Sequence, residues 1–239
     1  GQVRDQGGRI AGMIFGGIQK SSTIDFPGVL CCVLFTRGCD LNCFYCHNRD
    51  LIPRGGSTLP EAEIWAFLEK RRGLLDGVVI SGGEPTLQAD LPEVLRRIKA
   101  MGYQTKLDTN GQRPGLVAVL VGEKLVDYVA LDIKATAEDY AQVCGISGFQ
   151  QAAKTAKALQ WAGIAYELRT TLYPGLTLET FSALLSAFPP VSRWRVNYFR
   201  PPAVFRPQDV PLLQRPALTQ PELMAARDAL LAIQPNLIL

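Results

Sequence analysis

Apolar and β-branched residues gather in runs at Val29–Thr36, Gly77–Ser81, Tyr103–Asp108, Tyr128–Ile133, Tyr166–Leu172 and Trp194–Phe199, which predicts six strands. A segment of helical character follows each. Pro60 opens the first, with Ile64, Phe67 and Leu68 on one face. The others run through Leu91–Met101, Gly115–Val121, Phe149–Ala162, Thr177–Phe188 and Gln220–Ile233, with apolar positions at helical spacing. Strand and helix alternating at short intervals predict an α/β fold of parallel strands joined by right-handed crossovers, as an open wound sheet or a barrel. In either architecture the reactive groups belong at the carboxyl ends of the strands. The stretch Arg200–Pro216 holds Pro201, Pro202, Pro207, Pro211 and Pro216, which excludes a regular helix or a central strand and predicts a long, stiff connection.

At 239 residues and 47% hydrophobic content, the chain is long enough to bury one ordinary core. The expected organisation is a single domain over residues 13–239, preceded by a polar, glycine-rich segment 1–12 that reads as a flexible start or a tag remnant. No apolar run approaches the roughly 20 residues of a membrane-spanning helix, and no signal-peptide order is present. A soluble, cytoplasmic protein without a membrane partner is expected. The net charge of +3 is mild and its basic residues are scattered, which gives no support for direct nucleic-acid binding.

Six cysteines are too few for a disulfide scaffold in such a chain. Three of them, Cys39, Cys43 and Cys46, fall within eight residues directly after the first predicted strand. Crowded thiolates in a reducing compartment point to metal or redox chemistry. Three cysteines in one loop would leave one iron of a [4Fe-4S] cluster open to a small molecule, since such a cluster ordinarily takes four. The competing reading is structural zinc, with His47 completing a Cys3His set. His47 directly follows Cys46, and neighbouring residues rarely reach two corners of one tetrahedron. Cys31 and Cys32 in the first strand and Cys144 in a connection read as packing residues.

The spacing of Cys39, Cys43 and Cys46, with the aromatic Tyr45 before the last cysteine, resembles the signature of the radical S-adenosylmethionine (SAM) superfamily. Ser81-Gly82-Gly83-Glu84-Pro85 resembles that family's glycine-glycine-glutamate motif. Two glycines let backbone approach a ligand closely, and a carboxylate suits the methionine ammonium of SAM. The stretches Ser22–Gly28, Cys46-His47-Asn48, Leu107–Gly111 and Leu131–Lys134 further resemble the activases of glycyl radical enzymes, above all those serving anaerobic ribonucleoside-triphosphate reductase. The resemblance covers nearly the whole chain after Met13.

What the resemblance implies is a partial, TIM-like barrel of six strand-helix units, with the cofactors [4Fe-4S] and SAM. SAM would chelate the open iron through its amino and carboxylate groups, an injected electron would break its sulfur to C5′ bond, and the resulting radical would take a hydrogen atom from a glycine of a partner enzyme. The implied partner is a glycyl radical enzyme, anaerobic ribonucleotide reductase first, and the implied electron donor a flavodoxin or ferredoxin. By the same resemblance Gly82, Gly83 and Glu84 meet the SAM amino group, and Arg169 its carboxylate. Lys134 is a further implied SAM-binding residue, although a lone basic residue at a strand end, like Arg169, equally suits pairing with an acid, and the backbone of Tyr45 is near the adenine. Asp108, Thr109 and Asp132 are implied ligands of a monovalent cation, Na+ or K+, although aspartate and threonine at strand ends equally suit caps and turns. His47 reads as a loop-ordering residue. No cysteine lies between Cys46 and Gly82, so a ferredoxin-like insertion is missing, and Phe44 stands where related sequences commonly carry proline. The position of Arg200–Pro216 after the sixth strand makes it a candidate to receive the partner's glycine loop. Two other functions remain in view: a compact radical SAM enzyme acting on a small molecule, similar to 7-carboxy-7-deazaguanine synthase, and a zinc-stabilised interaction protein.

Overall fold

A computed structural model describes residues 12–239. The expectation for segment 1–12 therefore lies outside the described residues, apart from Gly12. The chain forms two compact units, the first from residues 12–40, 50–109 and 115–129, the second from residues 41–49, 110–114 and 130–239.

The first unit is built on strands β1 (Phe15–Ser22), β2 (Cys31–Thr36), β3 (Gly77–Gly82) and β4 (Gln104–Thr109), with helices α1 (Glu61–Lys70), α2 (Leu91–Ala100) and α3 (Pro114–Gly122). Strands β2, β3 and β4 run parallel, with Thr36 opposite Gly82 and Ile80 opposite Leu107. β2 and β3 are buried along most of their length, as continuous apolar runs in a parallel sheet require. β1 pairs antiparallel to β2 and was not expected. Its sequence, Phe-Gly-Gly-Ile-Gln-Lys-Ser-Ser, exposes Gln19, Lys20 and Ser21, so no apolar run marks it. Cys31 packs with Phe26, Val33, Val79 and Tyr128. Burial pushes the Cys31 thiol up to about 11 and the Cys32 thiol up to about 12, which makes both inert packing groups.

Strand β5 (Tyr128–Asp132) starts in the first unit and ends in the second. The second unit continues with α4 (Tyr140–Cys144), α5 (Phe149–Ala162), β6 (Ala165–Leu172), α6 (Leu178–Ser186), β7 (Trp194–Tyr198), α7 (Val210–Leu213), α8 (Gln220–Ala225), α9 (Arg227–Ile233) and β8 (Leu237–Ile238). β6, β7 and β8 run parallel, with Leu168 opposite Trp194 and Trp194 opposite Leu237. Trp194 is fully buried and donates its indole N–H to Thr170 Oγ1 at 3.1 Å, which satisfies the ring's one polar atom. Four differences from the expected elements appear here, the first being α4, a helix where Cys144 was expected in a connection. The segment 220–233 is two helices, broken at Ala226 (φ −94°, ψ 2°). The Arg200–Pro216 connection does hold helical turns, a 3-10 turn at Pro207–Asp209 and α7, because Pro207 and Pro211 sit at helix starts where the missing N–H costs nothing. β8 has only two residues, too short for a sequence signal. Among the described residues no helix is long and apolar enough to cross a membrane.

Candidate cofactor site

In the first unit the glycine-rich segment closes β3. Gly82 has φ +113°, and a side chain there would overlap the backbone of Thr36, so glycine is required on two counts. Gly83 N donates to Thr36 O at 2.9 Å and Glu84 N to Gly38 O at 2.7 Å, while Cys39 N donates to Ile52 O at 3.1 Å. The Gly-Gly-Glu backbone is thus tied to the residues that lead into Cys39.

Glu84 is fully buried. Its Oε1 accepts from Thr86 N at 3.0 Å, Thr86 Oγ1 at 2.5 Å and Thr109 Oγ1 at 2.8 Å. Those neutral donors fix the carboxylate's orientation and join the ends of β3 and β4. Asp108 Oδ2 accepts from Ser81 Oγ at 3.1 Å, and its Oδ1 lies 2.6 Å from Lys106 Nζ. Lys106, 1% exposed, was missed in the sequence. A signal was available: in Thr-Lys-Leu-Asp-Thr, Lys106 and Asp108 are two apart in a strand and so share a face.

In the second unit the cysteine loop lies along the end of α4, with Asn42 N donating to Cys144 O at 2.8 Å and Phe44 N to Val143 O at 3.2 Å. The Cys144 thiol hydrogen-bonds Cys43 and draws its pKa down, so Cys144 touches the loop rather than filling a remote core. Burial, then the Cys43 charge, push the Cys46 thiol up. Tyr45 stacks on Tyr173 with ring centroids 5.3 Å apart and planes at 13°, and meets Phe44 edge-on. Its hydroxyl is buried without a hydrogen-bond partner among the described residues. His47 is exposed.

Asp132, at the end of β5, takes Arg169 Nε on Oδ1 and Lys134 Nζ on Oδ2, both at 2.9 Å. Burial pushes its carboxyl up, but the Arg169 and Lys134 cations outweigh burial and hold it well below the usual range. Burial likewise depresses Lys134, and the Asp132 carboxylate reverses that and raises it. Both implied cation-ligand aspartates therefore carry protein cations already.

Cys39, Cys43 and Cys46 offer three thiolates from one loop, the soft donor type that an iron-sulfur cluster takes. Among the described residues no three His, Cys, Asp or Glu side chains converge on one ion position. A tetrahedral zinc draws its ligands to about 2.0–2.3 Å from a single point, whereas a cluster spreads its thiolates over separate irons.

The radical SAM superfamily model matches residues 33–188. A Methanocaldococcus jannaschii protein provisionally described as a glycyl-radical enzyme activating enzyme is 36% identical over 164 residues, 66% of this chain and 68% of that protein. The chain belongs to the radical SAM superfamily, among its glycyl-radical enzyme activating enzymes. A pyruvate formate-lyase-activating enzyme of Clostridium pasteurianum is 32% identical over 67% of this chain and 68% of its own length. The pyruvate formate-lyase 1-activating enzyme of Escherichia coli is 30% identical over 69% and 70%. Among solved structures, TYW1 with a lysine-pyruvate adduct has a TM-score of 0.57 at 17% identity, covering 85% of this chain and 74% of that one. Streptococcus suis SuiB bound to S-adenosylmethionine has a TM-score of 0.62 at 18% identity, covering 80% and 44%. These likenesses show the fold, the partial TIM-like barrel that the family resemblance implied. Membership makes a [4Fe-4S] cluster and SAM the cofactors of this radical SAM enzyme and displaces the zinc and small-molecule readings.

Proposed function

We propose that the chain installs a glycyl radical on anaerobic ribonucleotide reductase, using a cluster held by Cys39, Cys43 and Cys46. The observation that carries the cofactor part is the chemistry of the cysteine loop: three cysteines in eight residues, none of them in a disulfide, with Cys43 drawn toward thiolate. When bound, cluster and SAM supply reductive cleavage of the sulfur to C5′ bond and a carbon radical that takes a hydrogen atom from the partner's glycine.

The chain's own residues bind and orient. Gly82 and Gly83 bring backbone to the ligand, and Glu84, locked by Thr86 and Thr109, offers a fixed carboxylate to the SAM ammonium. Arg169 and Lys134 offer donors to the SAM carboxylate, with Asp132 holding both in place. The Tyr45 backbone stands by the adenine, its ring pinned by Tyr173. A Na+ or K+ ion at Asp108, Thr109 and Asp132 completes the reading; Lys106, Lys134 and Arg169 already neutralise the two carboxylates, which leaves such an ion only weak attraction. Six cysteines outside any disulfide suit a reducing, cytoplasmic setting, and an electron donor of the flavodoxin or ferredoxin kind belongs to the same reading.

Support for ribonucleotide reductase is the run of motifs from Ser22–Gly28 to Leu131–Lys134. A second reading, pyruvate formate-lyase, is favoured by the names of two of the relatives. Anaerobic incubation with each candidate partner, SAM and a reductant, followed by electron paramagnetic resonance, separates them. A glycyl radical on the reductase alone is expected; a radical on the lyase alone overturns the choice of partner and leaves the activase.

A further inference from the structure

The loop that carries Cys43 and Cys46 ends at Arg49, an arginine only 7% exposed. Its Nη1 donates to the Cys43 carbonyl at 3.3 Å and to Asn42 Oδ1 at 3.1 Å; its Nη2 donates to Asn42 Oδ1 at 2.8 Å and to Asp209 Oδ2 at 3.2 Å. Its Nε–H is buried with no acceptor among the described residues. Asp209 arrives from 160 residues further along, at the end of the 3-10 turn in the proline-rich connection, and is 2% exposed. Arg206 grips the same carboxylate, Nε to Oδ2 at 2.8 Å and Nη2 to Oδ1 at 2.7 Å.

An ion pair this deeply buried is poor evidence of stabilisation, because an apolar pair of the same volume commonly does as well. What the pair does is place a permanent positive charge against the backbone of Cys43. The planar fork reaches Asn42, Cys43 and Asp209 together, which a lysine could not do.

We propose that Arg49 is a positioning residue for the cysteine loop that also sets the cluster's reduction potential, with Asp209 holding and moderating its charge. The segment 206–209 is then part of the cofactor's support and not merely a connection. The proposal rests on the reading that Cys43 and Cys46 ligate the cluster. Net charge and hydrogen bonding around a cluster set its potential. A cation nearby favours the reduced, more negative state, and a carboxylate opposes it.

The test is an anaerobic redox titration of the reconstituted enzyme, monitored by electron paramagnetic resonance, with iron per chain measured alongside. Asp209→Asn should raise the midpoint potential and Arg49→Gln lower it, the double variant should fall between, and Arg49→Lys should stay near wild type because it keeps the charge. A purely structural pair would not give shifts of opposite sign. If both single variants keep their iron and show no shift, or shift the same way, the proposal is overturned. Should Arg49→Gln lose its iron, Asp209→Asn decides alone: a rise supports the proposal, and no rise or loss of the cluster overturns it. A wild-type protein that takes up no cluster would instead defeat the ligand reading on which the proposal stands.

Discussion

Lys106 Nζ stands 2.6 Å from Asp108 Oδ1, two residues along β4, with the lysine 1% and the aspartate side chain 12% exposed. The ammonium also lies 5.8 Å from the centre of the Tyr128 ring. A strand that turns both charges to the same buried side must keep them together, since removing one partner of a buried pair costs about 3–5 kcal/mol. Lys106→Met is therefore expected to lower unfolding free energy by about 3 kcal/mol. The variant should recover part of that loss when Na+ or K+ replaces tetramethylammonium at equal ionic strength, while the wild type responds little. Thermal unfolding in matched salts checks this; a variant as stable as wild type, or one indifferent to the ion, would show that Asp108 does not depend on a neighbouring cation.

Cys43 and Cys144 share a thiol hydrogen bond but have different expected fates. Cys43→Ala, like Cys39→Ala or Cys46→Ala, should abolish stable cluster binding, because three thiolates are the minimum that leaves one iron open. Cys144→Ala removes a donor to a proposed ligand without removing a proposed ligand, and iron per chain should stay at the wild-type level. Iron and sulfide analysis after anaerobic reconstitution decides; full iron in Cys43→Ala would defeat the ligand assignment.

Gly83 leaves no room for a methyl group. A Cβ there would overlap the Gly38 carbonyl and crowd Leu51 O at 3.1 Å, and both are backbone atoms that cannot swing aside. Gly83→Ala should cost about 1–3 kcal/mol of stability and, by displacing the residues before Cys39, weaken SAM binding as well. Equilibrium binding of SAM alongside denaturant unfolding tests both effects, and an alanine variant with wild-type values in each would contradict the close approach.

Asp127 offers a pH test away from the cofactor residues. Lys99 Nζ lies 2.7 Å from both of its oxygens, and Thr105 N donates to Oδ2 at 2.7 Å. Burial pushes the carboxyl up, but Lys99 and Thr105 outweigh burial and leave it below the usual range. A depressed folded-state pKa contributes stability that is present above the unfolded value, near 3.9, and is lost as pH falls through the folded value. The stability gap between wild type and Asp127→Asn should thus be constant above about pH 5 and shrink on acidification below about pH 4. Urea unfolding across that range reads it directly, and a gap that widened with acid would reverse the assignment.

Strands with continuous apolar runs were legible in the sequence because burial on both faces leaves one kind of residue to use: Cys31–Thr36 and Gly77–Gly82 stand within two residues of where the pattern placed them. β1 was not, because an edge strand with Gln19, Lys20 and Ser21 facing outward has the composition of a loop. The crowding of the cysteines stood out from residue type and spacing, whereas the Gly-Gly-Glu segment stood out only through its resemblance to a family motif. Partnerships formed across sequence distance were not. Nothing in Cys-His-Asn-Arg announces that Arg49 will find Asp209, and nothing in the segment around Cys144 announces a contact with Cys43. Lys106 was hidden for another reason, since a lysine in a strand reads as an outward-facing residue until the aspartate two positions on is counted with it.

Val204 and Phe205, 53% and 49% exposed, lie in the proline-rich connection a few residues before Asp209, which is buried against Arg49 and Arg206. That arrangement changes how a partner-receiving role should be tested. Shortening the whole connection would pull Asp209 away from Arg49 and disturb the cysteine loop, confounding docking with cofactor loss. Replacing only Val204 and Phe205 by serine leaves the Arg206–Asp209–Arg49 chain intact and removes two adjacent apolar side chains from the surface. Stiff, proline-held backbone loses little entropy on binding, and apolar anchors at such a site each carry more than about 1 kcal/mol when they are interface hot spots. The double variant should therefore keep its iron and its reductive SAM cleavage without partner, while needing about tenfold more partner protein for half-maximal glycyl radical yield, the equivalent of about 1.4 kcal/mol. Radical yield by electron paramagnetic resonance against partner concentration gives the comparison. A variant that activates its partner along the wild-type curve would remove this segment from the docking surface, and the cofactor assignments would stand without it.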